Sequence, residues 1–263
     1  MCRLFGIIAN KEVDIEFSFN LANKPFRELS YKHPDGWGIG YYIKGKAEIF
    51  KQGLDEVGNL KEYNFSIVKN IRSKIIISHV RKATYGNKSS INAHPFSFKN
   101  WIFAHNGSVN KECLLKHLEK NYEIEIKGET DSEVYFLLLI QEIEKLKNPV
   151  EGIKNALEII YKCGNYTGLN FILSDGNVLY AYRNASSNES YYSLYFLKRE
   201  PTLSKPFEHL SENTRQMLKS KLLLEEKAVL VCSEKLTEER WKEIPLKTLL
   251  IVSPDLAVKK EKL

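Results

Sequence analysis

The sequence predicts an α+β fold in which antiparallel sheets are layered against helices, and three observations carry that expectation. Ten short runs rich in β-branched and aromatic residues are spread over the 263-residue chain, most of them ending at Gly, Pro, Asn or Ser-Asp turns. Two of these runs, Leu169–Leu173 and Val178–Arg183, are joined by Ser174-Asp175-Gly176-Asn177, a hairpin signal. The long helical periods lie together in the middle of the chain instead of alternating with strands, which argues against a parallel sheet.

In chain order, strands are expected at Leu4–Ala9, Gly38–Ile43, Ala47–Phe50, Lys74–Val80 and Trp101–His105, then at the hairpin pair, and last at Tyr192–Leu197, Ala228–Cys232 and Thr248–Val252. The spacing of apolar residues predicts helices near Glu16–Leu29, Asp55–Asn70, Asn110–Lys120, Asp131–Lys147, Val150–Cys163 and Glu212–Leu224. Asp131–Lys147 is the clearest. Thr130 and Glu133 read as a capping box, the acids Asp131 and Glu133 suit the positive helix end, and Val134, Leu137, Leu138, Ile140 and Ile143 make a broad apolar face. Leu203–Thr214 is polar, contains Pro and reads as a loop. With no internal repeat, low-complexity tract or linker, residues 1–263 are expected to form a single domain whose late strands complete the main sheets.

A chain of this length can bury a full core. Its 43% hydrophobic and 27% charged residues are those of a globular protein, and 39 Lys and Arg against 33 Asp and Glu leave a formal charge of only +6. The lysines are scattered instead of forming one stripe, so no nucleic-acid partner is expected. Met1–Asn10 lacks the long apolar segment of a secretory signal, and the longest apolar run, Val134–Ile140, is too short to span a bilayer, so no membrane partner is expected either. Four widely spaced cysteines, Cys2, Cys113, Cys163 and Cys232, fit a reducing cytoplasm better than a disulfide scaffold. Cys113 and His117 lie one helical turn apart, but two ligands do not make a zinc site. No HExxH, GxxxxGK[ST] or Rossmann spacing occurs, so neither a metal nor a nucleotide cofactor is expected.

Cys2, directly behind the initiator Met1, carries the most chemical information. Loss of Met1 would place a thiol nucleophile and a free α-amino base on one residue, and an α-amine with a pKa of ~7.7–8.0 can accept a proton near neutral pH. Six stretches occur in order, the first containing Cys2: Cys2-Arg3-Leu4-Phe5-Gly6, His33 to Gly40, Ser78 to Gly86 with Arg81 and Thr84, Asn92 to Phe96, Ala104 to Ser108 with Asn106 and Gly107, and Gly128 to Glu133 with Asp131. Amide hydrolysis by a thiol needs a nucleophile, a proton acceptor, oxyanion donors and anchors for the substrate. Read alone, Arg81 is suited to a carboxylate but reads first as a surface residue in a basic pair with Lys82, Asn106-Gly107 is a turn signal, and Asp131 is a first-turn helix acid.

Together these motifs, which span residues 2–133, resemble the class II (N-terminal nucleophile, Ntn) glutamine amidotransferases, and most closely the stand-alone group that includes γ-glutamyl hydrolases of glutathione and ergothioneine metabolism. The resemblance implies a four-layer αββα sandwich, two antiparallel sheets between helices, which is the Ntn hydrolase fold. It implies that Cys2 is the nucleophile, that the Asn106 side chain and Gly107 N–H form the oxyanion hole, and that Arg81 with Thr84 holds the substrate carboxylate while Asp131 meets its ammonium. Asp35 and Trp37 are implied to lie near the nucleophile, with His79 and His94 in supporting places. Lys82 departs from the synthase-linked members, which carry Trp there. The implied substrate is a small molecule, glutamine or another γ-glutamyl compound, and if ammonia is released for synthesis its acceptor would be a separate synthase. A non-catalytic interaction module with this fold is the contrasting expectation, and it would retain Met1.

Overall fold

The fold, taken from a computed structural model, is described for residues 2–200 and 226–263, so the helix expected over Glu212–Leu224 and the loop over Leu203–Thr214 lie outside the described residues. Thirteen described strands run in chain order: β1 (Arg3–Val13), β2 (Gly36–Ile43), β3 (Lys46–Gly53), β4 (Ser73–Arg81), β5 (Phe96–Phe98), β6 (Trp101–Gly107), β7 (Leu169–Ser174), β8 (Leu179–Arg183), β9 (Tyr195–Arg199), β10 (Ala228–Cys232), β11 (Lys242–Glu243), β12 (Thr248–Val252) and β13 (Val258–Lys262). They form one sheet in the order β11-β9-β10-β1-β4-β2-β3 and a second in the order β13-β12-β8-β7-β6-β5, with every pairing antiparallel. The described α-helices are α1 (Leu54–Val57), α2 (Lys111–Leu115), α3 (Lys120–Glu123), α4 (Asp131–Leu146) and α5 (Pro149–Cys163).

Side-chain alternation builds the layers. Along β1, Leu4 and Ile8 point into the core between the sheets, beside Ile102, Ile172 and Val231, whereas Phe5 and Ile7 point to the opposite face with Phe26 and Trp37. Both faces of β1 are therefore buried, which is why it reads as an unbroken apolar run. The outer face of the second sheet is covered by α4 and α5. Val134, Leu138 and Ile140 are fully buried there, and each such side chain stabilises by roughly 1.5–3 kcal/mol. The layer order is the expected one, two antiparallel sheets face to face with helical segments outside.

The outer layer on the first sheet departs from the expected long helices. Residues 16–29 form a π turn at Phe17–Leu21 and a 3-10 helix at Phe26–Lys32. Pro25 between them lacks an N–H and disfavours a helical residue before it. Residues 55–70 break into α1 and two 3-10 turns, because Gly58 takes a left-handed conformation (φ 70°) that ends α1, and the Asn59 side chain caps the next turn. The helix expected over Asn110–Lys120 likewise stops at Leu115 and restarts as α3. β13 escapes a hydrophobicity reading because it is an edge strand, Val-Lys-Lys-Glu-Lys, whose charges protect the exposed edge.

Candidate active site

Strand ends from both sheets meet at one cleft. Cys2 precedes β1, whose Arg3 pairs with Val80, so the thiol lies where β4 ends at Arg81. β6 of the other sheet ends at Asn106 and Gly107, and α4 starts at Asp131. Cys2, Arg81, Thr84, Gly107 and Asp131, five residues from four separate motifs, line this cleft with His94. Tyr85, His105 and Ser132 also border it.

The Cys2 sulfur accepts the Lys82 N–H at 3.2 Å, and its S–H lies 3.4 Å from the Lys82 carbonyl oxygen. Burial pushes the thiol pKa up, while the Lys82 N–H and the guanidiniums of Arg81 and Arg3 pull it back without cancelling the rise. Such a thiol stays protonated at neutral pH and needs a base to become a nucleophile.

Asn106 is fully buried, and its Nδ2 donates to the Cys2 carbonyl oxygen at 2.8 Å and to Ser233 Oγ at 3.1 Å. Ser233 Oγ in turn accepts the Leu4 N–H at 2.9 Å. A residue just past β10 thus fixes both the amide and the strand behind Cys2. Gly107 has φ +139°, and a Cβ there would stand 1.9 Å from the Gly168 carbonyl oxygen, so only glycine fits this crossing.

Arg81 is buried, and two of its N–H groups donate to the carbonyls of Tyr85 and Asn87, each at 2.7 Å. The loop that receives them is held from two sides. Asp35 accepts the Ala83 N–H at 2.8 Å, pairs with Lys88 Nζ at 2.8 Å and donates its own N–H to the Arg81 carbonyl. Asn92 and Glu129 clasp each other, Asn92 Oδ1 accepting the Glu129 N–H at 2.8 Å, while the Glu129 carboxylate accepts the Asn87 N–H at 3.0 Å. Three motifs far apart in sequence therefore shape one loop. Thr84 is exposed at its rim.

Asp131 accepts the Val109 N–H at 2.8 Å and the Ser132 N–H at 2.9 Å, so its carboxylate is fixed between the helix start and the chain leaving β6. Thr130 caps α4 through the Glu133 N–H as expected, but the Glu133 carboxylate reaches past it to Gly128 N–H (2.7 Å) and Lys127 N–H (3.1 Å). His105 Nε2 lies 3.0 Å from the Gly168 carbonyl, which places the proton there, and Nδ1 then accepts from the Ser132 hydroxyl at 2.9 Å. Burial lowers the His105 pKa and keeps the ring neutral.

The His79 and His94 rings pack 4.3 Å apart, and burial lowers His79 to about 3 and His94 well below its ordinary value. Gly38 on β2 makes room for this pair, since a Cβ there would meet the His94 carbonyl oxygen at 2.4 Å. Trp37 is not brought to the cleft. Its indole lies on the outer face of the first sheet among Phe19, Phe50 and Phe65 and donates to Gln52 Oε1 at 3.1 Å. Ser233 was not legible as a site residue, because no motif surrounds it and it follows Asn106 by more than a hundred positions.

Cys113 and Cys163 form a disulfide, leaving Cys2 and Cys232 free. The pair lies on different helices that pack together only in the folded chain, and sequence alone does not specify cysteine connectivity. Among the described residues no helix is long and apolar enough to cross a membrane.

Residues 1–259 match the family of class II glutamine amidotransferases. The chain belongs to that family and is an enzyme of it. It is similar to an uncharacterised protein of Methanocaldococcus jannaschii, 34% identical over 95% of this chain and 69% of that protein. It is also similar to the isomerizing glutamine–fructose-6-phosphate aminotransferase of Bacillus anthracis, 26% identical over 71% of this chain but only 29% of that enzyme. Among solved structures, a glutamine aminotransferase class-II domain protein of Silicibacter pomeroyi superposes with a TM-score of 0.64 at 21% identity over 100% of this chain and 99% of its own. The glutamine phosphoribosylpyrophosphate amidotransferase of Bacillus subtilis gives 0.63 at 18% identity over 99% of this chain and 49% of its own. These structural likenesses are likenesses of fold.

Proposed function

We propose that this enzyme hydrolyses the side-chain amide of glutamine through a thioester on Cys2, releasing ammonia and then glutamate. The observation that carries this reading is the sharing of one cleft by a thiol, a guanidinium and a carboxylate, with the Asn106 amide bonded to the nucleophile's own carbonyl at 2.8 Å. Glutamine presents one carboxylate, one ammonium and one neutral amide, and the cleft offers a counterpart to each.

After removal of Met1, the Cys2 α-amine takes the thiol proton, which compensates for the raised thiol pKa. The thiolate attacks the amide carbon. The oxygen that becomes negative is met by the Gly107 N–H and by the Asn106 N–H that now bonds the Cys2 carbonyl, which changes partner while Ser233 keeps the amide in place. The protonated α-amine then gives its proton to the amide nitrogen, which leaves as ammonia, and water cleaves the thioester to glutamate and restores the Cys2 thiol. Arg81, with the donors not spent on Tyr85 and Asn87, holds the α-carboxylate beside Thr84, and Asp131 holds the ammonium. Asp35, His79 and His94 support this machinery by holding the 82–88 loop and the strand ends. A cytosolic setting belongs to the same reading, since an oxidising compartment would cap the free thiol of Cys2. Transfer of the ammonia to a separate synthase is also part of it, supported by the synthetic relatives named above.

Intact-mass analysis of the native protein is expected to give a chain starting at Cys2. Cys2→Ala is expected to abolish glutamate release, and undiminished hydrolysis by that variant would remove Cys2 as nucleophile. A steady-state comparison of glutamine with glutathione and other γ-glutamyl amides tests the leaving group. A higher kcat/KM for a conjugate would replace the ammonia-donor reading with that of a γ-glutamyl hydrolase.

A further inference from the structure

On the far side of the chain segments that leave the cleft, tertiary packing assembles a group the proposed reaction does not use. Cys113 on α2, His117 one turn beyond it and Cys163 at the last turn of α5 place two sulfurs and a ring nitrogen within 4.8 Å of one another. The two sulfurs form the disulfide, with Cα atoms 5.8 Å apart, and the cysteines are half-buried while His117 is exposed. Asn110 ties the same two segments, its Oδ1 accepting the Cys113 N–H at 3.2 Å and its Nδ2 donating to the Cys163 carbonyl at 3.4 Å. The segment from Gly107 to Cys113 and the segment from Cys163 to Gly168 are thus joined at the cysteines, and they also touch at the cleft, where Gly107 crosses Gly168.

We propose that Cys113, Cys163 and His117 form a redox-controlled zinc site: the reduced pair of thiolates and the imidazole hold one Zn²⁺, and oxidation of the pair to the disulfide releases it. Two thiolates and one imidazole are a donor set suited to zinc, with water completing a tetrahedron. A tetrahedral zinc with bonds of ~2.3 Å needs its sulfurs about 3.8 Å apart, farther than any disulfide holds them, so the two states exclude each other. The exposed imidazole gives the metal a way in, and the half-buried sulfurs limit competition from water. Oxidation needs a co-reactant, and a low-molecular-weight disulfide supplies it. One protein thiolate attacks a sulfur of that disulfide and expels a small thiolate, and the second protein thiolate attacks the mixed disulfide and expels the other. The protein loses two electrons, the two small thiolates carry them and take up protons from solvent, and Zn²⁺ leaves with its ligands gone.

The test uses the full chain carrying Cys2→Ala, so that the N-terminal amine and thiol cannot chelate metal. After reduction and removal of the reductant, it is titrated with Co²⁺ and then with Zn²⁺. One equivalent of Co²⁺ is expected to bind with a thiolate-to-cobalt charge-transfer band, and Zn²⁺ is expected to displace it. Treatment with glutathione disulfide is expected to release the metal, and His117→Ala to weaken binding at least tenfold. In the chain with Cys2 intact, His117→Ala is expected to leave glutamine hydrolysis unchanged, which separates this site from the proposed reaction. The proposal is overturned if the reduced protein binds no Co²⁺, or if Cys113→Ser and Cys163→Ser variants that retain wild-type helicity bind as much metal as the parent.

Discussion

At Asn106 the chain holds a polar amide in full burial with both N–H groups directed at defined oxygens, one of them the carbonyl of Cys2. The arrangement costs desolvation, which fixed hydrogen bonds offset, and it holds the amide beside Cys2, so that only the N–H bonded to the Cys2 carbonyl has to change partner when charge develops nearby. Asn106→Ala is therefore expected to lower kcat for glutamine by ~10²–10³ with a much smaller change in KM. Single-turnover formation of the thioester would check this. An unchanged kcat would mean that the oxyanion is held elsewhere. Asp131 shows how one residue serves two levels, since the carboxylate that binds Val109 N–H also starts α4.

Among the elements, α4 and α5 form the layer that backs the second sheet, and each begins with a side-chain cap. Asn148 Oδ1 accepts the N–H groups of Val150 and Glu151, and Pro149 occupies the first helical position where no N–H is needed. Asn148→Ala is expected to destabilise the protein by about 1 kcal/mol, read as a lower urea midpoint, with kcat/KM unaltered because α5 meets the cleft only through the segment after Cys163. The 82–88 loop works differently. It has no regular structure, and Asp35, Asn92 and Glu129 impose its shape from three other segments of the chain.

Among the described residues, four histidines are buried: His33, His79, His94 and His105. Burial lowers the pKa of each, His33 to about 4 and His79 to about 3, so in the folded protein they are neutral where the unfolded chain would begin to protonate near pH 6.5. A depressed folded-state pKa contributes stability that is complete above the unfolded value and is lost as pH falls below it. Between pH 6 and pH 5, His33 and His79 are each expected to remove roughly 1 kcal/mol of stability, and denaturant titrations at pH 7, 6 and 5 would show the midpoint falling stepwise. A midpoint constant over that range would show that the rings already carry protons in the fold.

The order of motifs from Cys2 to Glu133 determined, without any coordinates, the family and most of the residues that face the cleft, because each motif binds its chemistry to a local turn or strand end. The strands were legible for a similar reason: Ala228–Cys232 and Thr248–Val252 match β10 and β12 residue for residue, since a short run of β-branched and other apolar residues is a local property. Helices split where Pro25 and Gly58 intervene, signals that are present in the sequence but outweighed by apolar spacing. Only the tertiary structure decided that Trp37 faces away from Cys2, because alternation tells which residues share a face but not which face meets the site. It alone brought Ser233 to Asn106 and Cys163 to Cys113 and His117, since nothing local in a chain encodes which distant segments close a loop of fifty residues.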